Sequence, residues 1–156
     1  MTDVFTKSKR SEIMSRIRGK DNLATEKKLA ELFRNYGIKG WRRNYPIFGK
    51  PDFVFAKERI AVFVDGEFWH GHPTLGSIPK TNQAFWLEKI MRNKERDRLV
   101  NKTLKKKGWI VVRIWQSQLK NSSWLRKISH AFAVSRKGGL KLKEGLKKVP
   151  IGQVPF

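Results

Sequence analysis

The sequence contains no cysteine among its 156 residues. A chain without thiols forms no disulfide, no thiolate zinc site and no thiol nucleophile, so these three kinds of group are excluded. Long apolar runs are missing as well. No stretch approaches the roughly 18 apolar residues of a membrane span, and the N-terminus has no apolar signal region. We therefore expect a cytoplasmic protein with no membrane partner.

Acidic residues are scarce. The chain has 13 Asp and Glu against 35 Lys and Arg, a formal net charge of +22, and the excess runs along the whole chain. With 39% hydrophobic and 12% aromatic residues it can bury a core, which argues against a disordered basic tail. So basic a domain favours a polyanionic partner, and nucleic acid is the commonest one. A soluble domain with solvated lysine faces, or an RNA binder of the ribosomal type, stays open on charge alone.

Hydrophobic periodicity predicts helices and strands in a mixed order. A short basic helix over residues 11–18, capped by Ser11 and ended by Gly19, precedes a core helix over 26–36. The remaining predicted elements are strands over 41–45, 52–56 and 59–65, a Gly-rich loop over 66–81, a long helix over 82–106, a strand over 109–115 and a last amphipathic helix that begins near Trp124.

Connection lengths predict the sheet. Short turns make the first three strands an antiparallel meander, and the long helix serves as a crossover that places the third and fourth strands parallel. The expected fold is α/β or α+β, with a four-stranded mixed sheet. We expect a basic N-terminal arm over 1–20, one folded domain over 21–135, and a loosely packed basic tail over 136–156.

Two of the rare acids stand at strand ends. Asp52 opens one predicted strand and Asp65 closes the next, and pairing across the Lys57-Glu58 turn brings Asp52 beside Val64 and Asp65. Oxygen ligands at such a place suit Mg²⁺, which prefers one or two carboxylates plus water and substrate phosphate. For either acid alone a turn or strand-end cap is the ordinary explanation, but the pair in so basic a chain favours a metal site.

Two further residues fit the same chemistry. Glu26 lies in the first turn of the core helix, where stabilisation of the helix dipole is the common role of an acid. His70 follows Asp65 by five residues, within reach of a metal-bound water or a phosphate, and a histidine near its ordinary pKa exchanges protons there. Neither residue is specific by itself.

The Pro51-Asp52 hairpin with a second acidic strand end resembles the Pro-Asp…(Asp/Glu)-x-Lys nuclease superfamily, although the chain has His70 rather than the expected lysine. A longer set of motifs resembles the very-short-patch-repair DNA mismatch endonuclease family from about residue 7 to 119. These motifs are Thr25-Glu26, Gly49-Lys-Pro-Asp-Phe53, Val62-Phe-Val-Asp-Gly66, Phe68-Trp-His-Gly71, Phe85-Trp-Leu-Glu-Lys-Ile90, Glu95-Arg-Asp-Arg98 and Gly108-Trp109.

The resemblance implies a restriction-endonuclease-like α/β fold and a Mg²⁺-dependent nuclease domain. It implies nicking of one strand of double-stranded DNA, on the 5′ side of the thymine in a T:G mismatch. It would make the protein a monomer, with DNA repair proteins as further candidate partners. Two alternatives stay open: a restriction or homing-type endonuclease of the same fold, and a non-catalytic basic DNA-binding protein.

The resemblance also implies roles for single residues. Asp52 and the backbone carbonyl of Val64 would hold the metal, Glu26 would help to hold metal-bound waters, and His70 would transfer a proton, with Asp65 as a further acid of the catalytic group. The DNA-binding residues would be aromatic side chains that wedge into the base stack and an N-terminal arm against the minor groove: Phe68, Trp69 and Trp86, and Met14, Arg16, Ile17 and Arg18.

One departure from the family is large. The family carries a structural zinc held by cysteines and histidine, and this chain has Glu67, His72 and Ser117 where that pattern falls. Glu67 and His72 alone make a poor closed zinc site, so we expect no structural zinc and a loop held by packing and hydrogen bonds.

Elemental analysis should therefore find well under one zinc per chain in protein purified without added metal, because no thiolate is available and no four-ligand set is visible. One tightly bound zinc that resists chelators, with loss of thermal stability on its removal, would contradict this prediction.

Overall fold

The computed structural model of the protein describes residues 6–135 and 140–141, with the backbone alone over 17–22. Within these residues an N-terminal helix is followed by three strands, a second helix, a fourth strand and a third helix. The elements are α1 (Lys7–Asn35), β1 (Trp41–Arg42), β2 (Phe53–Phe55), β3 (Ile60–Asp65), α2 (Gln83–Lys106), β4 (Ile110–Trp115), a 3₁₀ helix (Gln116–Lys120) and α3 (Ser123–Val134).

The four strands form one mixed sheet in the order β1-β2-β3-β4. β2 pairs antiparallel with both β1 and β3, and β3 pairs parallel with β4. Helix α2 is the crossover that the parallel pair requires. The predicted four-stranded mixed sheet flanked by helices, the α/β arrangement of restriction-endonuclease-like folds, is confirmed.

The first helix differs from the prediction. Instead of a short helix ended by Gly19, the structure has one continuous helix over 29 residues, and its cap is Thr6, whose hydroxyl accepts from the Lys9 N–H at 3.3 Å. The many good helix formers in this run outweigh the roughly 1 kcal/mol that one internal glycine costs. The predicted boundary between arm and domain at residue 20 falls inside α1.

Two other local predictions were wrong. The strand expected over 41–45 ends at Arg42, because Asn44 is left-handed (φ 53°) and Pro46 has no N–H to donate to a ladder. The 3₁₀ helix after β4 was not predicted. Such short helices are too brief for a hydrophobic period to indicate them.

The sheet separates two apolar layers. On one face Phe33 of α1 is fully buried among the rings of Trp41, Phe53, Phe55 and Trp124, with centroid distances of 5.4–6.0 Å. On the other face Val54, Ala61 and Phe63 pack with Val100 and Leu104 of α2. β3 is therefore buried on both faces, which explains its continuous apolar sequence.

Most of the predicted C-terminal tail, residues 136–139 and 142–156, lies outside the described residues. Leu140 is described, and it packs against the larger core cluster. No helix in the described part of the chain is long and apolar enough to cross a membrane.

Candidate active site

A cleft of about 300 Å³ opens beside α2, where β2 begins and β3 ends. Four residues expected at one site from the sequence line it together: Asp52, Val64, Asp65 and His70. Two residues to which the sequence motifs assigned no role, Asp97 and Arg113, line it as well. The predicted meeting of Asp52 with the end of β3 is thus realised in the fold.

Asp52 lies just before β2, next to the end of β3. The last residue pair of these two strands is Phe53 with Val62, so Val64 extends beyond the ladder. Its N–H donates to Oδ2 of Asp52 at 2.7 Å instead of to a strand. Since the N–H and C=O of one strand residue point to the same edge, the Val64 carbonyl lies on the edge that Asp52 occupies.

Glu26 reaches the same point from α1. Its carboxylate interacts with that of Asp52, and it forms an ion pair with the side chain of Arg43. Burial raises the pKa of Asp52 from 3.8 to about 7; the Val64 N–H opposes this rise, and the charges of Glu26 and Asp65 add to it. A divalent cation would relieve the repulsion between these two half-buried carboxylates. Asp52, Glu26 and the Val64 carbonyl therefore fit a hard metal ion.

His70 is held by α2. Its Nδ1 lies 2.6 Å from Oδ2 of Asp97, which fixes the ring and leaves Nε2 as the nitrogen for proton exchange. Burial alone lowers the pKa of His70, but the hydrogen bond to Asp97 and the charges of Asp65 and Asp97 prevail and raise the pKa above 6.5. The surrounding acids therefore favour the protonated form of His70.

Asp65, expected from the sequence as a further acid of the catalytic group, forms an ion pair with Arg113. It is 5% exposed, and both of its carboxylate oxygens accept from Arg113 at 2.9 Å. Arg113 also contacts Oδ1 of Asp97 at 3.3 Å, so it lies between the two acids that flank His70. Arg113 therefore compensates the charge of these acids and fixes their positions.

Asp65, His70 and Asp97 also offer three possible metal ligand atoms within 4.8 Å of one another. Arg113 already neutralises both acids of this group, whereas Asp52 contacts only the Val64 N–H and another acid among the residues that the structure describes. The set built on Asp52 is thus the better match for a divalent cation.

The three predicted wedge residues form one aromatic cluster. The ring of Phe68 lies 4.9 Å from that of Trp69 and 5.4 Å from that of Trp86, and Lys89 Nζ lies 5.4 Å from the Trp69 ring. Phe68 and Trp69 are partly exposed, while Trp86 is only 7% exposed. For Trp86 to enter a base stack, the residues that cover it have to move.

The predicted arm residues occupy different places. Met14 lines a separate cavity of about 330 Å³ with Trp86, beside Lys7 and Arg10 of α1. Arg16 is exposed and pairs with Glu12 at 2.7 Å. The side chains of Ile17 and Arg18 lie outside the described residues.

Sequence reasoning missed Asn93, Asp97 and Arg113. Asn93 donates to the Trp69 carbonyl at 2.8 Å, and Asp97 lies one turn further along α2, so one face of this helix holds two successive residues of the loop. A polar pair at i, i+4 inside the apolar stripe that runs from Ile90 to Leu104 was the available signal. Arg113 stands in Val112-Arg-Ile-Trp115, which also resembles the family, but a basic residue in so basic a chain gave no indication of its role.

Comparison with known proteins agrees with the motifs. The family described as DNA mismatch endonuclease Vsr matches residues 2–75. The type II nicking enzyme V.NmeAIP of Neisseria meningitidis serogroup A is 41% identical over 131 residues, which are 81% of this chain and 90% of that enzyme. The DNA mismatch endonuclease Vsr of Escherichia coli K12 is 40% identical over 121 residues, 77% of each chain. The type II nicking enzyme V.HpaIIP of Haemophilus parainfluenzae is 35% identical over 122 residues, 76% of this chain and 86% of that one.

The raised pKa of Asp52 predicts an unusual pH dependence of stability in the absence of metal. The folded protein keeps this proton up to about pH 7, whereas an unfolded aspartate releases it near 3.8. Stability therefore falls as pH rises through this window. We expect Asp52→Asn to raise the free energy of unfolding at pH 8 by on the order of 2 to 4 kcal/mol, and to raise it little at pH 4.

Urea unfolding in EDTA at both pH values measures this effect. Glu31→Gln, which removes an exposed acid of α1, serves as the control and should leave the pH dependence unchanged. Adding Mg²⁺ at pH 8 should stabilise the wild type and not Asp52→Asn. If the free energy of unfolding changes with pH in the same way in the wild type and in Asp52→Asn, the pKa of Asp52 is not raised in the folded protein.

Proposed function

Because the chain belongs to the Vsr family of DNA mismatch endonucleases, we propose that it nicks one strand of duplex DNA at a T:G mismatch, with Mg²⁺ as its metal. The observation that carries this proposal is the cleft in which Asp52 and His70 meet. Trp69 of the aromatic cluster lines the same cleft, so the residues suited to hydrolysis and those suited to base stacking are adjacent.

Asp52 and the Val64 carbonyl would hold the metal, and Glu26 would orient its water ligands. Bound there, Mg²⁺ supplies a Lewis acid for the phosphate and lowers the pKa of a bound water. Arg43 keeps Glu26 in place through their ion pair. The support for this assignment is the crowding of Asp52 and Glu26, which a divalent cation relieves.

His70 would exchange a proton at Nε2 with the reacting groups of the phosphodiester. Asp97 fixes the ring through Nδ1 and stabilises its protonated form, so His70 is oriented and its pKa is raised. Asp65 and Arg113 would act by positioning this pair. Since both oxygens of Asp65 are bonded to Arg113, we assign Asp65 to the support of His70.

Phe68, Trp69 and Trp86 would insert into the base stack at the mismatch. A mismatched step unstacks at lower cost than a paired step, so flat aromatic side chains select it through deformation energy. The distributed charge of +22 would supply affinity for phosphates without regard to sequence. We propose a monomer with one metal centre that acts in the cytoplasm alongside DNA repair proteins.

Nicking of T:G and C:G duplexes in one sequence context tests this function. The cost of unstacking differs by a few kcal/mol, so the T:G duplex should be nicked at least roughly tenfold faster, on one strand only. Asp52→Ala should abolish cleavage and leave DNA binding largely intact, because affinity comes from the distributed charge.

Trp69→Ala should reduce the mismatch preference more than it weakens binding, because phosphate contacts survive the change. Equal cutting of both duplexes, or double-strand breaks at a fixed sequence, would favour the restriction-type alternative. A wild-type cleavage rate in Asp52→Ala would show that the metal is held elsewhere.

His70→Ala should lower the single-turnover nicking rate by roughly 10²-fold or more, the usual scale for a proton-transfer group. Asp97→Ala should lower the rate less, and the double variant should lose no more than His70→Ala, because Asp97 acts through His70. Losses that multiply in the double variant would show that Asp97 acts independently.

A further inference from the structure

Residues 66–76, which we call the histidine loop, carry Trp69 and His70 and form neither a helix nor a strand. Its backbone leaves β3 at Asp65 and has only short turn contacts of its own, such as His70 N–H to the Gly66 carbonyl at 3.2 Å. The placement of Trp69 and His70 relative to Asp52 therefore depends on contacts with other elements.

One set of contacts comes from α2 and was described above: Asn93 holds the Trp69 carbonyl and Asp97 holds His70. A second set lies on the other side of the loop and leads to the end of β4. Glu67 Oε1 accepts from the backbone N–H of Ser117 at 2.6 Å, across 50 residues of sequence. The ring of His72 contacts that of Trp115, with centroids 4.7 Å apart.

The hydrogen bond between the Glu67 carboxylate and the Ser117 N–H is charge-assisted. A carboxylate that accepts from a backbone N–H forms a charge-assisted bond, which is shorter and roughly twice as strong as a neutral one. The hydroxyl of Ser117 also bonds to this carboxylate. Within the loop, the Glu67 carbonyl accepts from the N–H of His72 at 2.8 Å, so the residues that contact Ser117 and Trp115 are bonded to each other.

The end of the histidine loop packs closely against the backbone of Glu67. A Cβ at Gly76 would lie 2.6 Å from the Glu67 carbonyl oxygen, so only a glycine lets the end of the loop pack there. The turn thus closes on the backbone of Glu67, three residues before His70. A shift of Glu67 would therefore be passed on to His70.

We infer that Glu67 is a positioning residue that clamps the histidine loop to the start of the 3₁₀ helix after β4 and so sets the distance between His70 and the Asp52 site. This inference rests on the proposed function for its catalytic consequence. Glu67 itself is absent from the lining of the cleft, so it acts through the loop. A displacement of His70 by about 1 Å is enough to lower the rate by up to roughly 10²-fold.

A matched pair of variants separates the clamp from side-chain volume. Glu67→Met fills similar space without an acceptor, whereas Glu67→Gln keeps a carbonyl oxygen that accepts from Ser117. In single turnover with saturating Mg²⁺ and T:G duplex, we expect Glu67→Met to lower the nicking rate by roughly tenfold or more. The dissociation constant for DNA should stay within about twofold, and Glu67→Gln should recover most of the rate.

Amide hydrogen exchange tests the clamp without any reaction. Protection of the Ser117 N–H should be lost in Glu67→Met and kept in Glu67→Gln. Glu31→Met, at an exposed position of α1, is the control and should change neither the rate nor this protection. Rates are normalised to the folded fraction from near-ultraviolet circular dichroism, so partial unfolding of a variant does not imitate the effect.

The outcomes separate the two proposals. A wild type that nicks T:G DNA while Glu67→Met nicks equally fast overturns the positioning role. Equal losses in Glu67→Met and Glu67→Gln overturn the part of the hydrogen bond. If the wild type does not nick, the proposed function is overturned. The clamp is tested independently of nicking, because unchanged protection of the Ser117 N–H in Glu67→Met overturns it.

Discussion

The site depends on the parallel pairing of β3 with β4. This pairing requires a crossover, and the crossover is α2, which brings Asn93 and Asp97 over the end of β3. The same pairing places Arg113 beside Asp65 and brings Ser117 within reach of Glu67. On its other edge β3 pairs with β2, which delivers Asp52 to Val64. Each group of the cleft is thus fixed relative to one strand that is buried on both faces.

Electrostatics then distinguishes the acids from one another. In a chain of charge +22, three of the acids at the site have a basic partner: Glu26 has Arg43, Asp65 has Arg113, and Asp97 has His70. Asp52 is bonded to a backbone N–H and faces Glu26, and its pKa is raised to about 7. Among these four residues only Asp52 is therefore an acid without a basic partner, and this is where we propose that the metal binds.

The structure also brings the residues that we propose for base stacking and for proton transfer together in one short loop. The histidine loop presents Trp69 to the aromatic cluster and His70 to the cleft, and adjacent residues cannot move far from each other. The loop is held from two sides: by Asn93 and Asp97 of α2, and by Trp115 and Ser117 at the junction of β4 with the 3₁₀ helix. Trp86 is the exception, because it is only 7% exposed and its ring lies against those of Phe68, Trp69 and Phe85.

The sequence by itself determined the elements and their pairing. The mixed sheet and the approach of Asp52 to Val64 could be predicted from the apolar strands, the hairpin at Lys57-Glu58 and the long charged helix. Hairpin register and connection length are local properties, so the sequence encodes them directly. The quoted motifs were enough for the family. Continuity of α1 past Gly19 was missed, since helix propensity summed over 29 residues outweighs one unfavourable position.

Only the tertiary structure decided which partner each charged side chain takes. Asp65 is bound by Arg113, 48 residues away, and Glu67 by the N–H of Ser117, 50 residues away. In a chain with 35 basic residues nothing local distinguishes Arg113 from the others. The tertiary structure also decided the raised pKa of Asp52 and the burial of Trp86. The first depends on α1 and the sheet, and the second on the histidine loop and α2. Hydrophobic period and spacing do not encode such distances.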